Sequence, residues 1–364
     1  MFGFGEEEFV GLDIGSTGIK VALLKKGKRG YELVNFGMVS LPPDTIVDGE
    51  VENPTAISEA IKNLLKSEKL ASHKRCVFSV SGQSVIIKKI TVPLMSEDDL
   101  AESIQQEAEQ YIPFDIDEVN VDFQIVSAEG EIPKKNEKPG SGEEDRQMDV
   151  LLVAVKKGII QEQNEILVQA GLKPAVVDLD VFALENGYEL SYGLDADDTF
   201  ALVNIGASNT NVNIIENGIT AYTRDMPVGG NTITETIQKN MNVGFRDADS
   251  IKLGHMDESI TKADAIPHIK QGVAHICEEL KSTIETFQKT SDSQVRRIHL
   301  CGGTAMLEGI ESLVSNEVGL ECDKIDPFKS IKVNKRHFDL EYIESIAPFA
   351  VIAVGLAIRR LDDK

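Results

Sequence analysis

One short pattern occurs twice in this chain, and the repetition constrains its fold more than any other feature. Gly11-Leu12-Asp13-Ile14-Gly15-Ser16-Thr17 and Leu202-Val203-Asn204-Ile205-Gly206-Ala207-Ser208 both read as a strand, a glycine turn and a returning strand. Gly15 and Gly206 stand 191 positions apart in 364 residues. A repeat at about half the chain length suggests two related domains, and the length itself exceeds what one core usually supports. Two such domains would face each other across a cleft, where ligands bind. A tight glycine turn between strands points several backbone N–H groups one way and forms a nest for phosphate oxygens. Glycine permits close approach and Ser or Thr adds a hydroxyl donor. Asp13, just before the first turn, can hold Mg²⁺ through water. Lys20, on the returning strand, can place a point charge on a phosphate. Cys301-Gly302-Gly303-Thr304-Ala305-Met306 follows a strand and precedes a helix, and its two glycines let a flat ligand such as a nucleoside pack against backbone. By itself the first turn is equally an ordinary hairpin, and the turn at Gly302 and Gly303 reads first as a plain strand–helix turn; the combination points to a ligand.

Composition narrows the function classes. The net charge of −23 argues against a nucleic-acid partner, which needs a basic face for phosphates, and against simple adsorption to anionic lipid. Aromatic residues make up 5% of the chain and tryptophan is absent, so recognition by base stacking is not expected. Cys76, Cys277, Cys301 and Cys322 form no C-x-x-C pair, and neither a zinc site nor a dithiol redox centre is suggested; small buried thiols are expected. His268 and His275 lie a heptad apart, which is not metal spacing, and no Ser–His–Asp or Cys–His arrangement can be argued. Glu6 to Glu8 and Glu143 to Asp145 read as solvated acidic stretches. The N-terminus lacks the basic and apolar regions of a signal peptide. The apolar run Ile346 to Ile358 is too short to span a bilayer and is closed by Arg359 and Arg360. The expectation is a soluble cytoplasmic protein that reaches a membrane only through a partner.

Periodicity predicts the elements. Phe9 to Leu24 and Tyr31 to Val39 alternate as hairpin strands, and Pro54 to about Lys66 reads as a helix with Asn53 as its cap. Cys76 to Val80 reads as a buried strand. Ser84 to Gly171 looks like a compact unit: a strand at Val85 to Val92, a helix opened by Ser96 and Asp99, strands at Val119 to Ile125 and Asp149 to Val155, and a helix from about Lys157. Glu129 to Gln147 has no apolar periodicity and reads as a long mobile hairpin loop. Asp195, Asp197 and Asp198 mark a domain boundary. Beyond it come strands at Phe200 to Ile205, Asn211 to Glu216 and Ile219 to Arg224, then helices at about Gly230 to Met241, Asp247 to Leu253 and Pro267 to Lys289. A strand at Arg296 to Cys301, a helix from Gly309 and a final helix through Ala347 to Arg360 complete the chain.

Five motifs, in order, resemble the actin/hexokinase/heat-shock ATPase superfamily. Asp13-x-Gly15-x-x-x-x-Lys20 is similar to its first phosphate loop and Asn204-Ile-Gly206-Ala-Ser-Asn-Thr210 to its second. Gly302-Gly303-Thr-Ala-Met306-Leu-Glu-Gly309 resembles the adenosine motif. Val177-Asp-Leu-Asp180-Val-Phe-Ala-Leu and Ala347-Pro-Phe-Ala-Val-Ile-Ala-Val-Gly355 resemble the two connecting helices. The position of the extra unit matches the FtsA/PilM branch. Met226-Pro-Val-Gly-Gly-Asn231 and Gln106-Glu-Ala-Glu-Gln-Tyr-Ile-Pro-Phe114 are similar to the PilM family of type IV pilus assembly proteins. The fold implied is α/β: an actin-like (ribonuclease H-like) two-domain fold with a central nucleotide cleft and an inserted small α+β subdomain. The first domain would comprise 1–83, 172–193 and 345–364, the insertion 84–171, and the second domain 194–344.

The resemblance implies ATP and Mg as cofactors. Asp13 would organise Mg through water, Gly15, Ser16 and Thr17 would donate to phosphate, and Lys20 would be its cation. Gly206 and Thr210 would form the opposing loop, Gly229 and Gly230 would approach the ribose, Lys252 would lie by the nucleoside, and Gly302, Gly303 and Met306 would bracket adenine. Asp180 would position the attacking water. Asn204 departs from the pattern, which has aspartate there: the amide keeps the shape but loses charge and proton-accepting capacity, so ATP binding with weak or no hydrolysis is expected. The partners implied are the cytoplasmic N-terminal peptide of the inner-membrane protein PilN, in a groove between the first domain and the insertion, and other pilus-machine proteins, at the inner face of the inner membrane. The alternatives are an FtsA-like cell-division protein, disfavoured because no C-terminal amphipathic helix follows Arg359-Arg-Leu-Asp-Asp-Lys364, and a small-molecule kinase of the same superfamily.

Overall fold

A computed structural model describes residues 8–128, 132, 146–255 and 261–361. The first half of the repeat builds a five-stranded sheet. Strands β1 (Val10–Ile14), β2 (Gly18–Gly27) and β3 (Gly30–Ser40) form an antiparallel meander; a small hairpin, β4 (Ile46–Val47) and β5 (Glu50–Val51), follows. Helix α1 (Pro54–Ser67) is capped as the sequence predicts, with Asn53 accepting the Ala56 N–H at 3.0 Å. Strand β6 (Arg75–Val80) then pairs parallel to β1.

The insertion has its own sheet and core. Strand β7 (Val85–Pro93), helix α2 (Glu97–Ala108) and strands β8 (Val119–Ala128) and β9 (Gln147–Lys156) give the order β7-β9-β8. Ile90, Val92, Met148, Val150 and Leu152 pack under Leu100, Ile104 and Ala108 of α2. Helix α3 (Lys157–Gln169), which the spacing places with the insertion, instead buries Ile166 and Leu167 in the core of the first sheet, with Ile57 and Ile61 of α1. Most of Glu129 to Gln147, expected as a hairpin loop, and the acidic stretches at Glu6 and Glu143 lie outside the described residues.

Strand β10 (Lys173–Leu179) completes the first sheet, in the order β10-β6-β1-β2-β3, and runs into helix α4 (Asp180–Tyr192). The second half repeats the plan. Strands β11 (Thr199–Ile205), β12 (Thr210–Glu216) and β13 (Ile219–Met226) form the meander. Helices α5 (Gly230–Met241), α6 (Phe245–Lys252) and α7 (Lys262–Thr290) follow, and strand β14 (Arg297–Cys301) pairs parallel to β11. Helix α8 (Ile310–Val318) leads to strand β15 (Glu321–Lys324), giving the order β13-β12-β11-β14-β15. The run Phe200–Val203 is continuously apolar because both faces of β11 are covered, and Asn204 interrupts it before Ile205. Ala201, Val203 and Ile205 face α5 and α7; Phe200 and Leu202 face the layer between the sheets.

That middle layer is α4 and α9 (Leu340–Ile358). α9 starts two turns before the expected point because Asp339 caps it, accepting the Glu341 N–H at 3.0 Å. α7 likewise starts early, through a capping box between Thr261 and Asp264. By length and composition α9 could cross a membrane, but here two thirds of its apolar window is buried inside the protein. Its backbone approaches its neighbours too closely for side chains. A Cβ at Gly355 would overlap the Ala183 carbonyl oxygen, and one at Gly187 would lie 2.5 Å from the Val351 oxygen. Gly355→Ala therefore forces α4 and α9 apart and lowers stability by about 1–3 kcal/mol, measurable by urea unfolding; an unchanged midpoint would contradict this packing.

Candidate functional site

The two halves of the repeat meet tip to tip. In the first turn the Gly15 N–H donates to the Gly18 oxygen at 3.0 Å, and the Leu41 N–H fixes the Thr17 carbonyl at 2.9 Å. In the second, the Gly206 N–H donates to the Asn209 oxygen at 2.9 Å. The Ser208 hydroxyl donates to Ser16 Oγ across the gap at 3.1 Å. Asp13 and Lys20 face each other on β1 and β2, with Nζ 2.9 Å from Oδ2. At the equivalent register of the second hairpin Asn204 faces Asn211, and the Asn204 amide donates to Asn211 Oδ1 at 2.8 Å.

Around the second turn, two segments converge on one carbonyl. The Gly206 oxygen accepts from the Gly230 N–H at 2.9 Å and from the Thr304 hydroxyl at 3.0 Å. The Asn231 N–H donates to the Ala207 oxygen at 2.8 Å. A Cβ on Gly230 would lie 2.6 Å from Thr304 Oγ1, so the approach itself demands glycine. Lys252, far from being a solvated helix lysine, is held beside Gly230: its ammonium lies 2.6 Å from Asp249 Oδ1, 2.8 Å from Thr234 Oγ1 and 3.3 Å from the Gly230 oxygen. Gly302 has φ 89°, in the left-handed region, and its N–H donates to the Pro348 oxygen at 2.9 Å. Gly303 lies against Phe349, and Met306 ends the single 3₁₀ turn that follows. Thr210 is fully buried and its hydroxyl donates to the Val228 oxygen at 2.7 Å. Its side chain braces the segment leading to Gly229 and does not line the cleft.

Carboxylates form the floor. Asp180, the first residue of α4, accepts from Ser79 Oγ at 2.6 Å. Its carboxyl lies deep among protein atoms although the residue keeps some exposure to the cleft, and burial, followed by the anion of Asp13, pushes its pKa from 3.8 to about 6 against the opposing bonds of Ser79 and Ser81. Burial likewise raises the Cys301 thiol, which leans on Asn204 Oδ1 at 3.7 Å. Asp225 accepts from the Asn211 amide at 2.8 Å and from the Gly82 N–H at 2.5 Å. Between this floor and the insertion is a cavity of about 150 Å³ lined by Ser81, Ile86, Asp180, Arg224 and Asp225.

Of the sequence candidates, Asp13, Gly15, Ser16, Thr17, Lys20, Gly206, Gly229, Gly230, Lys252, Gly302 and Gly303 belong to the two turns and the segments packed on the second, with Met306 at the margin and Asp180 at the floor. Ser208 joins them as the last residue of the repeated pattern, whereas Asn211 and Asp225 are not singled out by the sequence. The one available signal was Thr210-Asn-Val-Asn213, polar residues on a strand otherwise fit for a core. The second of its asparagines, Asn213, donates to Glu185 Oε2 of α4 at 3.0 Å.

Among the described residues no group of three His, Cys, Asp or Glu side chains forms a ready metal site. The site can therefore be tested through protons. An acid whose folded pKa exceeds its unfolded value loses stability as pH rises through that interval, here from about 4 to about 6. Asp180→Asn, which keeps an acceptor for Ser79, should raise unfolding stability at pH 7.5 by about 1–3 kcal/mol, with the gain vanishing near pH 4. An equal effect at both pH values would show that Asp180 is not strained as an anion.

Comparison with known proteins agrees with this architecture. Residues 11–361 match the family model described as type IV pilus assembly protein PilM. The solved structure of a PilM-PilN type IV pilus biogenesis complex is 27% identical, with a TM-score of 0.83 over 98% of this chain and 100% of that one. The cell division protein FtsA of Bacillus subtilis is 23% identical over 86% of this chain and 70% of its own. MreB5 of Spiroplasma citri bound to AMPPNP shares the fold, at 10% identity and a TM-score of 0.51 over 96% of this chain and 94% of that one. The fold is thus the actin-like one, and this chain belongs to the PilM family of type IV pilus assembly proteins.

Proposed function

We propose that this chain is a cytoplasmic ATP-binding adaptor of type IV pilus assembly that binds the cytoplasmic N-terminal peptide of PilN at the inner face of the inner membrane. The observation that carries the reading is the end-to-end similarity to the PilM-PilN complex structure, together with membership of the family.

The residues of the cleft fit a nucleotide. Two hydroxyl-bearing glycine turns oppose each other, and two lysines, Lys20 and Lys252, flank them. A helix-like turn at Gly303 offers backbone against which a flat base can rest. ATP, when bound, would supply the polyphosphate that bridges the turns. Ser16 and Thr17 would donate to it, on a turn that the Gly15 N–H closes onto the Gly18 oxygen; Lys20 would exchange Asp13 for phosphate, and Asp13 would be released to order Mg through water. Gly206, Gly229 and Gly230 would hold the opposite side, Lys252 the sugar edge, and Gly302, Gly303 and Met306 the base. Thr210 acts through the backbone of its loop. MreB5, of the same fold, is described with AMPPNP. With an amide at 204, a Mg-bound water would lack one carboxylate to order it, so weak hydrolysis is expected. ATP titration by calorimetry should show binding weakened at least about tenfold by Asp13→Ala, with wild-type turnover below about one per second. No ATP binding by the wild type would overturn the nucleotide reading.

For the peptide, the junction of the insertion with the first sheet offers an open cavity of about 370 Å³, lined by Ser84, Glu118, Lys156, Lys157, Gly158 and Ile159. Lys157 Nζ donates to the Asp117 oxygen at 2.7 Å and so ties the first turn of α3 to the foot of β8. A titration of the PilN N-terminal peptide is expected to saturate on the wild type and to weaken with Gly158→Trp, which fills the cavity. An unaffected affinity would place the peptide elsewhere, and no binding would remove the adaptor role.

A further inference from the structure

We infer that Asn204, Asn211 and Asp225 form a directional hydrogen-bond latch that ties the second lobe to the root of the inserted subdomain, and that its polarity is the reason position 204 holds an amide. The latch stands on the geometry alone and does not depend on the nucleotide or peptide readings.

The chain of bonds is continuous. Gly82 lies between β6 and β7, at φ 90°, where the main chain leaves the first sheet for the insertion. Its N–H donates to Asp225 Oδ2 on β13. Asp225 Oδ1 accepts from the amide of Asn211 on β12, and Asn211 Oδ1 accepts from the amide of Asn204 on β11, next to the second glycine turn. Three adjacent strands of one lobe are thereby bonded side chain to side chain, and the last link crosses to the other lobe. β7, which follows Gly82, runs beside β13.

The polarity is forced from the Gly82 end. A carboxylate has only acceptors, so Asn211 must present its NH₂ to Asp225. Its oxygen then faces Asn204, which must also donate. The amide orientations thus follow from the anion rather than from local preference. A carboxylate at 204 would have no solution in this frame. If Asn211 keeps its orientation, two oxygens face each other at 204; if it turns over, two oxygens face each other at 225. A buried polar group left without its partner is costly, and Asn211 is only 3% exposed. Moving the charge instead of adding one restores every bond. In Asn204→Asp with Asp225→Asn, the new carboxylate at 204 would accept from Asn211, Asn211 would accept from the new amide at 225, and that amide's oxygen would still accept the Gly82 N–H.

The experiment is hydrogen exchange at the Gly82 amide in the full chain, read for the wild type, Asn204→Asp, Asp225→Ala, Asp225→Asn and the double variant Asn204→Asp/Asp225→Asn. Asn204→Asp and Asp225→Ala should speed exchange at least about tenfold, while Asp225→Asn and the double variant should stay within about threefold of the wild type. Circular dichroism checks that each variant folds, and the double variant decides the matter if Asn204→Asp is poorly folded. Exchange unchanged in Asn204→Asp, or no slower in the double variant than in Asn204→Asp alone, would overturn the latch.

Discussion

The close crossing of α4 and α9 between the two sheets positions everything else. Gly187 and Gly355 let the two backbones touch, and Gly11 lets α9 lie on β1, where a Cβ would collide with the Ala353 carbonyl. Each contact fixes one part of the cleft. Gly11 is two residues from Asp13; α4 begins at Asp180; α9 offers the Pro348 oxygen to Gly302 and the Phe349 ring to Gly303. Interiors are packed too densely for such a crossing to drift without moving its neighbours. A hydrophobic layer thus sets the distance between two polar turns.

The polar groups buried near that layer differ in what they can release. Glu185 is bound by Thr220 and Asn213, and burial raises its pKa. Its partners are inside the second sheet, so this cluster docks α4 and has no route to a ligand. Lys252 has three partners but sits at the mouth of Gly230. Asp13 and Lys20 have each other and the cleft. Where their partners lie, not charge, separates the structural groups from those that face the cleft. The overall charge of −23 is compatible with an anion site for the same reason: a turn of backbone N–H groups with one lysine acts locally, over distances shorter than those at which the whole-chain charge is screened.

The sequence made legible whatever is encoded locally. Asn53 before Pro54, Ser96 before Asp99, and the glycine turns at 15 and 206 each carry their reason within a few residues. Helix α5 was readable to its ends because Gly229 and Asn242 close it. Starts that depend on a distant apolar face were not: α9 begins at Leu340 because Asp339 caps it and Ile343 and Ile346 find a core, whereas the apolar run alone begins at Ile346. α3 follows its strand in sequence but packs on α1, a choice made by the first sheet. Asp225 was invisible because its partners are 14 and 143 positions away, and only the strand register brings them together.

The repeat that dominates the sequence is also where the two lobes part ways. The residue two positions before each glycine pairs across its hairpin with the residue seven positions on: Asp13 with Lys20, Asn204 with Asn211. The fold keeps the register, and the chemistry differs. The first pair is ionic and closed on itself; in the nucleotide complex proposed above, a phosphate would take the lysine while a cation took the carboxylate. The second pair is neutral and continues into Asp225, so neither amide can turn without leaving an oxygen facing an oxygen. On that proposal one hairpin exchanges partners and the other holds them. Asymmetry between equivalent positions, more than the turns themselves, distinguishes the two halves of the cleft.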